Sequence, residues 1–281
     1  MKTILILSHL TFHEAYRRKI LWAALILGLL FLIVYGLGFY FTLQDLENSI
    51  QLGYANDIAK REITSFLLLA GLYAVNFLTI GMSVLTSVDT LAGEINSGTM
   101  QTLVSKPVKR WQILIGKWLG FVGMLSLYLV LMAGGTMAIV FAITGYTAPN
   151  AFQGLILIWL NGLLMLSLSF LGGTYLSTLA NGVLAFGLFG VAFVGGWIEQ
   201  IGWFTKNQVA VNIGILSSLI VPSEALWKRA AHVMESPLVS AIGFSPFTSA
   251  SAPSPLMVGY AVVYILVLLG FAVHQFSRRD L

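Results

Sequence analysis

The chain has 281 residues, of which 58% are hydrophobic and only 9% charged, and its formal net charge is +4. A soluble domain carries about 25% charged residues, so this chain has too few to cover a water-facing surface, and the composition points to a polytopic membrane protein. There is no cysteine, which excludes a disulfide framework, a thiolate nucleophile and a cysteine metal site.

Residues 1–19, MKTILILSHLTFHEAYRRK, read as an interfacial amphipathic helix rather than a signal peptide. The apolar part is short, and Glu14 and three bases follow where a cleavage site would fall. Ile4, Leu7, Thr11 and Ala15 share one helical stripe, with Leu5, Phe12 and Tyr16 beside it, and Arg17, Arg18 and Lys19 mark the water–lipid boundary. His9 and His13 have the i, i+4 spacing of a helical chelate, but no third ligand is near them, so no metal site is expected.

A spanning helix needs about 20 mostly apolar residues. Six segments qualify: 20–43, 64–88, 113–143, 152–179, 182–204 and 256–276. Six spans place both termini on one side. With the termini inside, five of the 15 Lys and Arg fall outside (Lys60, Arg61, Lys206, Lys228 and Arg229) and the other ten inside, so the charge bias predicts cytoplasmic termini in the cell membrane.

The 205–255 segment then lies outside. Within it VAVNIGILSSLIV, residues 209–221, is apolar but only 13 residues long and is stopped by Pro222, which predicts a re-entrant or interface-lying helix. PSEALWKRAAHV follows as a short polar helix, and SPFTSASAPSP as an external loop.

The spans carry little chemistry. There is no HExxH, no GxSxG and no G-x4-GK[ST], so no catalytic role and no ATP site of the chain's own are expected. The span centres are almost free of charge. Asn76 and Asn161 are the polar exceptions and read either as an interhelical hydrogen bond or as pathway residues. Glu199 and Gln200 fall near the outer end of the fifth span, where water can reach them. Nothing in this pattern supplies an energy source for transport.

The longest polar-looking segment is LAGEINSGTMQTLVSKPVKRWQILIGK, residues 91–117, between the second and third spans. Residues 89–104 can form about four helical turns in which Leu91, Ile95, Thr99 and Leu103 make an apolar stripe. Gly98 costs such a helix roughly 1 kcal/mol relative to Ala. Pro107 ends it at or before Lys106. The pattern fits two readings, a loop lying on the lipid surface and a cytoplasmic docking helix offered to a partner.

The stretch GEINSGTMQTLVSKPVKRWQILIGK resembles the cytoplasmic signature of ATP-binding-cassette type-2 permeases, in which a Glu is followed by Gly-Thr, a Leu-rich turn, Ser-Lys/Arg-Pro-Val, a base and a Gly-Lys. Those positions are Glu94, Gly98, Thr99, Leu103, Ser105, Lys106, Pro107, Val108, Arg110, Gly116 and Lys117. LTFHEAYRRKILWAALILGLLF, SSLIVPSEALWKRA and FSRRDL resemble other parts of the same family, so the likeness covers nearly the whole chain.

The resemblance implies one all-α permease domain over residues 1–281. Its parts would be an interfacial helix at 1–19, six spans, a cytoplasmic coupling segment at 89–112 and an external region at 205–255. It implies an exporter subunit that pairs with a second permease, identical or related, in the lipid membrane. A separate cytoplasmic ABC ATPase, which binds ATP and Mg, would dock on Glu94, Gly98, Thr99, Leu103, Lys106 and Arg110. No nucleic acid is expected as a partner. Two other functions share parts of this pattern: a standalone secondary transporter or channel, and a membrane anchor that recruits a cytoplasmic enzyme.

Overall fold

The computed structural model describes residues 2–17, 19–53, 56–96, 108–236 and 253–278. Among these residues every regular element is a helix: α1 (Lys2–Arg17), α2 (Lys19–Gln51), α3 (Asp57–Asn96), α4 (Arg110–Thr144), α5 (Ala151–Tyr175), α6 (Thr178–Phe204), α7 (Gln208–Ile220), α8 (Ser223–Met234) and α9 (Pro255–Arg278). Six of them, α2 to α6 and α9, are long and apolar enough to cross a membrane.

The first three spans overrun the apolar segments that mark them. At about 1.5 Å per residue, 20 residues cross the hydrocarbon core, yet α2 has 33 residues, α3 has 40 and α4 has 35. Hydropathy marks where lipid ends, whereas a helix ends where its backbone is broken or capped. α2 continues through Gln44, Asp45 and Glu47 and the chain turns only at Gly53, whose φ is +80°. α3 starts where Asn56 Oδ1 accepts a hydrogen bond from Ala59 N at 2.8 Å, seven residues ahead of the apolar run that opens at Thr64.

The fourth span differs in the opposite sense. It was expected through Leu179 but stops at Tyr175, because Leu176 and Ser177 are extended. Residues 178–181 open α6 instead. This break lets Asn181, fully buried, donate from Nδ2 to Ser169 O at 2.9 Å and Val88 O at 3.2 Å.

The core lies where α3 meets α5, the most enclosed of the spans. Lipid offers no hydrophobic drive between helices, so close packing and interhelical hydrogen bonds hold them. Ser83 Oγ donates to Gly162 O at 2.9 Å, and Ser87 Oγ to Ser169 Oγ at 2.8 Å. A Cβ on Gly162 would come within 2.8 Å of Leu125 on α4, so glycine is what brings the three helices together there.

Helix α1 packs along α4. Ile4 and Leu7 are half-buried and Thr11 is buried, while Leu5, Phe12 and Tyr16 stay exposed. A Cβ on Gly120 would lie 2.8 Å from the Ser8 carbonyl oxygen, which is backbone and cannot give way by rotation. Gly120→Leu is therefore expected to lift α1 off α4 at a cost of about 1–3 kcal/mol while the spans stay folded. Faster proteolysis confined to residues 2–17 of detergent-purified protein would report it; an unchanged cleavage pattern would argue against the contact.

At the other end of α6 the chain doubles back. Asn207 caps α7 by accepting hydrogen bonds from Val209 N at 3.0 Å and Ala210 N at 3.3 Å. A Cβ on Gly214 would sit 2.7 Å from Gly195 O, so α7 lies almost backbone to backbone on α6. The chain then bends by 105° at Val221–Pro222 into α8. The segment expected as a short polar helix is indeed α8, but it is not a surface element: Glu224, Trp227 and Lys228 are all buried. Its polar face meets a polar patch on α6, and a helical pattern alone does not distinguish that from water.

Candidate functional site

The proposed coupling segment begins inside α3. Residues 89–96 do not start a separate helix; they continue the second span to Asn96. Leu91, from the apolar stripe, is buried, and its Cβ lies 3.3 Å from where Gly173 of α5 would carry its own. Asp89 accepts a hydrogen bond from Thr178 Oγ1 at 2.8 Å.

Glu94 is turned into the protein. Its Oε1 accepts a hydrogen bond from Lys117 Nζ at 2.6 Å, with side-chain exposures of 11% and 5% for the acid and the base. The two ends of the sequence signature, its Glu and its Gly-Lys, thus form one buried ion pair between α3 and α4. Gly116, beside Lys117, is where Leu7 and Ile4 of α1 press in. Arg110, at the first turn of α4, reaches Ser277 O of α9 at 3.4 Å. Gly98, Thr99, Leu103 and Lys106 lie outside the described residues.

Asn76 and Asn161 meet in the core. Asn161 Nδ2 donates to Asn76 Oδ1 at 3.0 Å, and both residues are buried. They sit in the same α3–α5 seam as the Ser83 and Ser87 contacts. The His9 and His13 rings stack at 6.3 Å on α1, and among the described residues no group of side chains is arranged to hold a metal.

A second charged cluster lies at the far end of α6. Lys228 Nζ donates to Glu199 Oε2 at 2.8 Å and to Gly196 O at 3.3 Å, and the lysine side chain is 3% exposed. Glu224, one turn before Lys228 on α8, presses so closely on Gly196 that a Cβ there would collide with its side chain. Helix α8 is outside the six spans, and there burial pushes the Glu224 carboxyl up to about 7, the Lys228 ammonium opposing the rise and the Glu199 charge adding to it. Glu199 is half-buried beneath α7 and α8, with its side chain 16% exposed. The i, i+4 spacing of Glu224 and Lys228 was visible in the sequence. The partner on α6, 29 residues upstream of Lys228, was not.

A bundle of six apolar helices, with an ion pair buried between the second and third, defines a multi-pass membrane protein. The family model for ABC-2 family transporter proteins matches residues 5–281, and the chain belongs to that family of transporter permeases. No curated protein sequence matches the chain.

Proposed function

We propose that the chain is the permease subunit of an ABC exporter and lies in the cell membrane with both termini cytoplasmic. Two permeases, identical or related, form the pathway, and each carries a separately encoded ATPase that binds ATP and Mg. The chain is one permease domain that catalyses no reaction itself. Residues 89–106 dock in a cleft of the ATPase through Gly98, Thr99 and Leu103, with Lys106 and Arg110 at the rim. Residues 205–255 form the external region, with α7 re-entrant.

The observation that carries this reading is the Glu94–Lys117 pair, 2.6 Å between α3 and α4. It supports a rigid linkage: a push on the docking segment reaches the second and third spans together, which is what conversion of ATPase closure into gate movement requires. In this reading Glu94 holds the docking segment in place rather than touching the ATPase. Any opening that parts α3 from α5 would uncover the amides of Asn76 and Asn161, which makes them the pathway candidates.

Gly98→Trp tests the docking. Its expected result is loss of the co-purifying ATPase from mild-detergent extracts, with membrane insertion of the variant unchanged. Full retention of the ATPase would remove residues 89–106 from the contact.

A further inference from the structure

A cavity of about 530 Å3 opens between α7, α8 and α9, in the size range of small-molecule sites. Its walls are Ile215 and Leu219 of α7 and Leu256, Met257 and Tyr260 of α9, and its polar end is the Glu199–Lys228 pair. Leu256 is 84% exposed and Leu219 47%, so the mouth is rimmed by exposed apolar side chains, as entry of a membrane-dissolved molecule requires. Tyr260 and Tyr264 brace the wall by donating to Leu219 O at 2.6 Å and Ile220 O at 2.9 Å.

We propose that this cavity binds a membrane-borne molecule with an apolar body and an amine or ammonium head, the head being taken by Glu199. The charge count at the polar end gives the sign of the head. Two carboxylates, Glu199 and Glu224, stand around one ammonium, and Lys228 is already spent on Glu199 Oε2 and Gly196 O. With both acids ionised the cluster carries one uncompensated negative charge in a largely buried site, which is costly. Either a proton or an incoming cation cancels it. Among the described residues that line the cavity the one base is Lys228, and Arg229 beside it donates to Pro253 O, so a carboxylate or phosphate head would meet Glu199 with its counter-charge already paired. Lys228 engages one oxygen of Glu199, which leaves Oε1 for a second donor.

Proton and cation then compete. The groups that face Glu224 are Lys228 on its own helix, Glu199 on α6 and Tyr73 on α3, whose hydroxyl is hydrogen-bonded to Trp197. Since burial brings Glu224 to about 7, affinity for the cation should weaken as pH falls through that value.

The test is equilibrium binding of radiolabelled decylammonium, whose head carries N–H donors, to the purified permease in phosphatidylglycerol nanodiscs, without any ATPase, so that its outcome is independent of the exporter reading. Saturable binding is expected, weakened at least tenfold by Glu199→Gln and by Leu256→Trp, which fills the mouth from an exposed position and spares the fold. Phosphatidylethanolamine in the nanodiscs separates the two sources of the head. Suppression of probe binding would identify a lipid headgroup as the occupant, and undiminished binding a free hydrophobic amine. Absence of saturable binding, equal binding of decyl sulfonate, or indifference to both substitutions would overturn the assignment.

Discussion

Lys117→Met is expected to destabilise the bundle by about 3–5 kcal/mol, because it takes the ammonium bonded to Oε1 away from Glu94 in a nearly closed site. The pair sits at 2.6 Å with both side chains almost entirely enclosed, so water cannot replace the lost partner. The informative comparison is the double variant Lys117→Met with Glu94→Gln. It removes both charges, and a buried ion pair replaced by groups of similar volume is often close to neutral. Stability measured by denaturant titration of the purified protein should therefore be lower in the single variant than in the double one, with a coupling energy well above that of an exposed pair. The double variant also separates structure from function. It should fold and insert, yet transmit the movement of a bound ATPase less well, since α3 and α4 are no longer tied. Equal stability of the single and double variants would mean that the charges are solvated and that the linkage is not ionic.

The sequence makes the spans legible because lipid imposes a strong and simple requirement, a long apolar helix. It makes their ends less legible, because solvent boundary and helix boundary obey different rules. α3 runs beyond the apolar stretch at both ends since Asn56 caps it at one and nothing breaks it before Asn96 at the other. The stop at Leu176 was hidden for a related reason: residues 152–179 carry no charge and no proline to mark a stop, and the break is explained by Asn181 reaching α3, a contact 93 residues away in sequence. Charges were the hardest to place. Lys117 and Lys228 both counted as loop bases when the sides of the membrane were compared, yet each is spent on a buried carboxylate. One base leaves each side, so the asymmetry used for orientation keeps its sign. What made both lysines deceptive is that their partners come from other helices, Glu94 on α3 and Glu199 on α6, and no local spacing encodes such a pairing.

Lys228→Met should be as damaging as the loss of Lys117, about 3–5 kcal/mol, and unlike it should depend strongly on pH. Removing this ammonium leaves Glu199 and Glu224 facing each other beneath α8 with no counter-charge. The sign follows from Glu224. Its folded value, about 7, lies above the ordinary 4.5, so the folded state holds its proton more tightly than the unfolded chain does. The stabilising contribution of that proton is complete below about pH 4.5 and is lost as pH rises through about 7. Without Lys228, which pulls the value down, Glu224 holds its proton still more firmly and ionising it costs more. The deficit of the variant should thus be clearly smaller at pH 5.5, where only the Glu199 pair is lost, than at pH 8.5. Glu224→Gln in the same background should recover the extra loss seen at the higher pH, because an amide fills the space beside Gly196 without a charge. Thermal unfolding of the three proteins at the two pH values measures this directly. A pH-independent deficit in Lys228→Met would show that the lysine acts through packing or its pair with Glu199 and not by balancing Glu224.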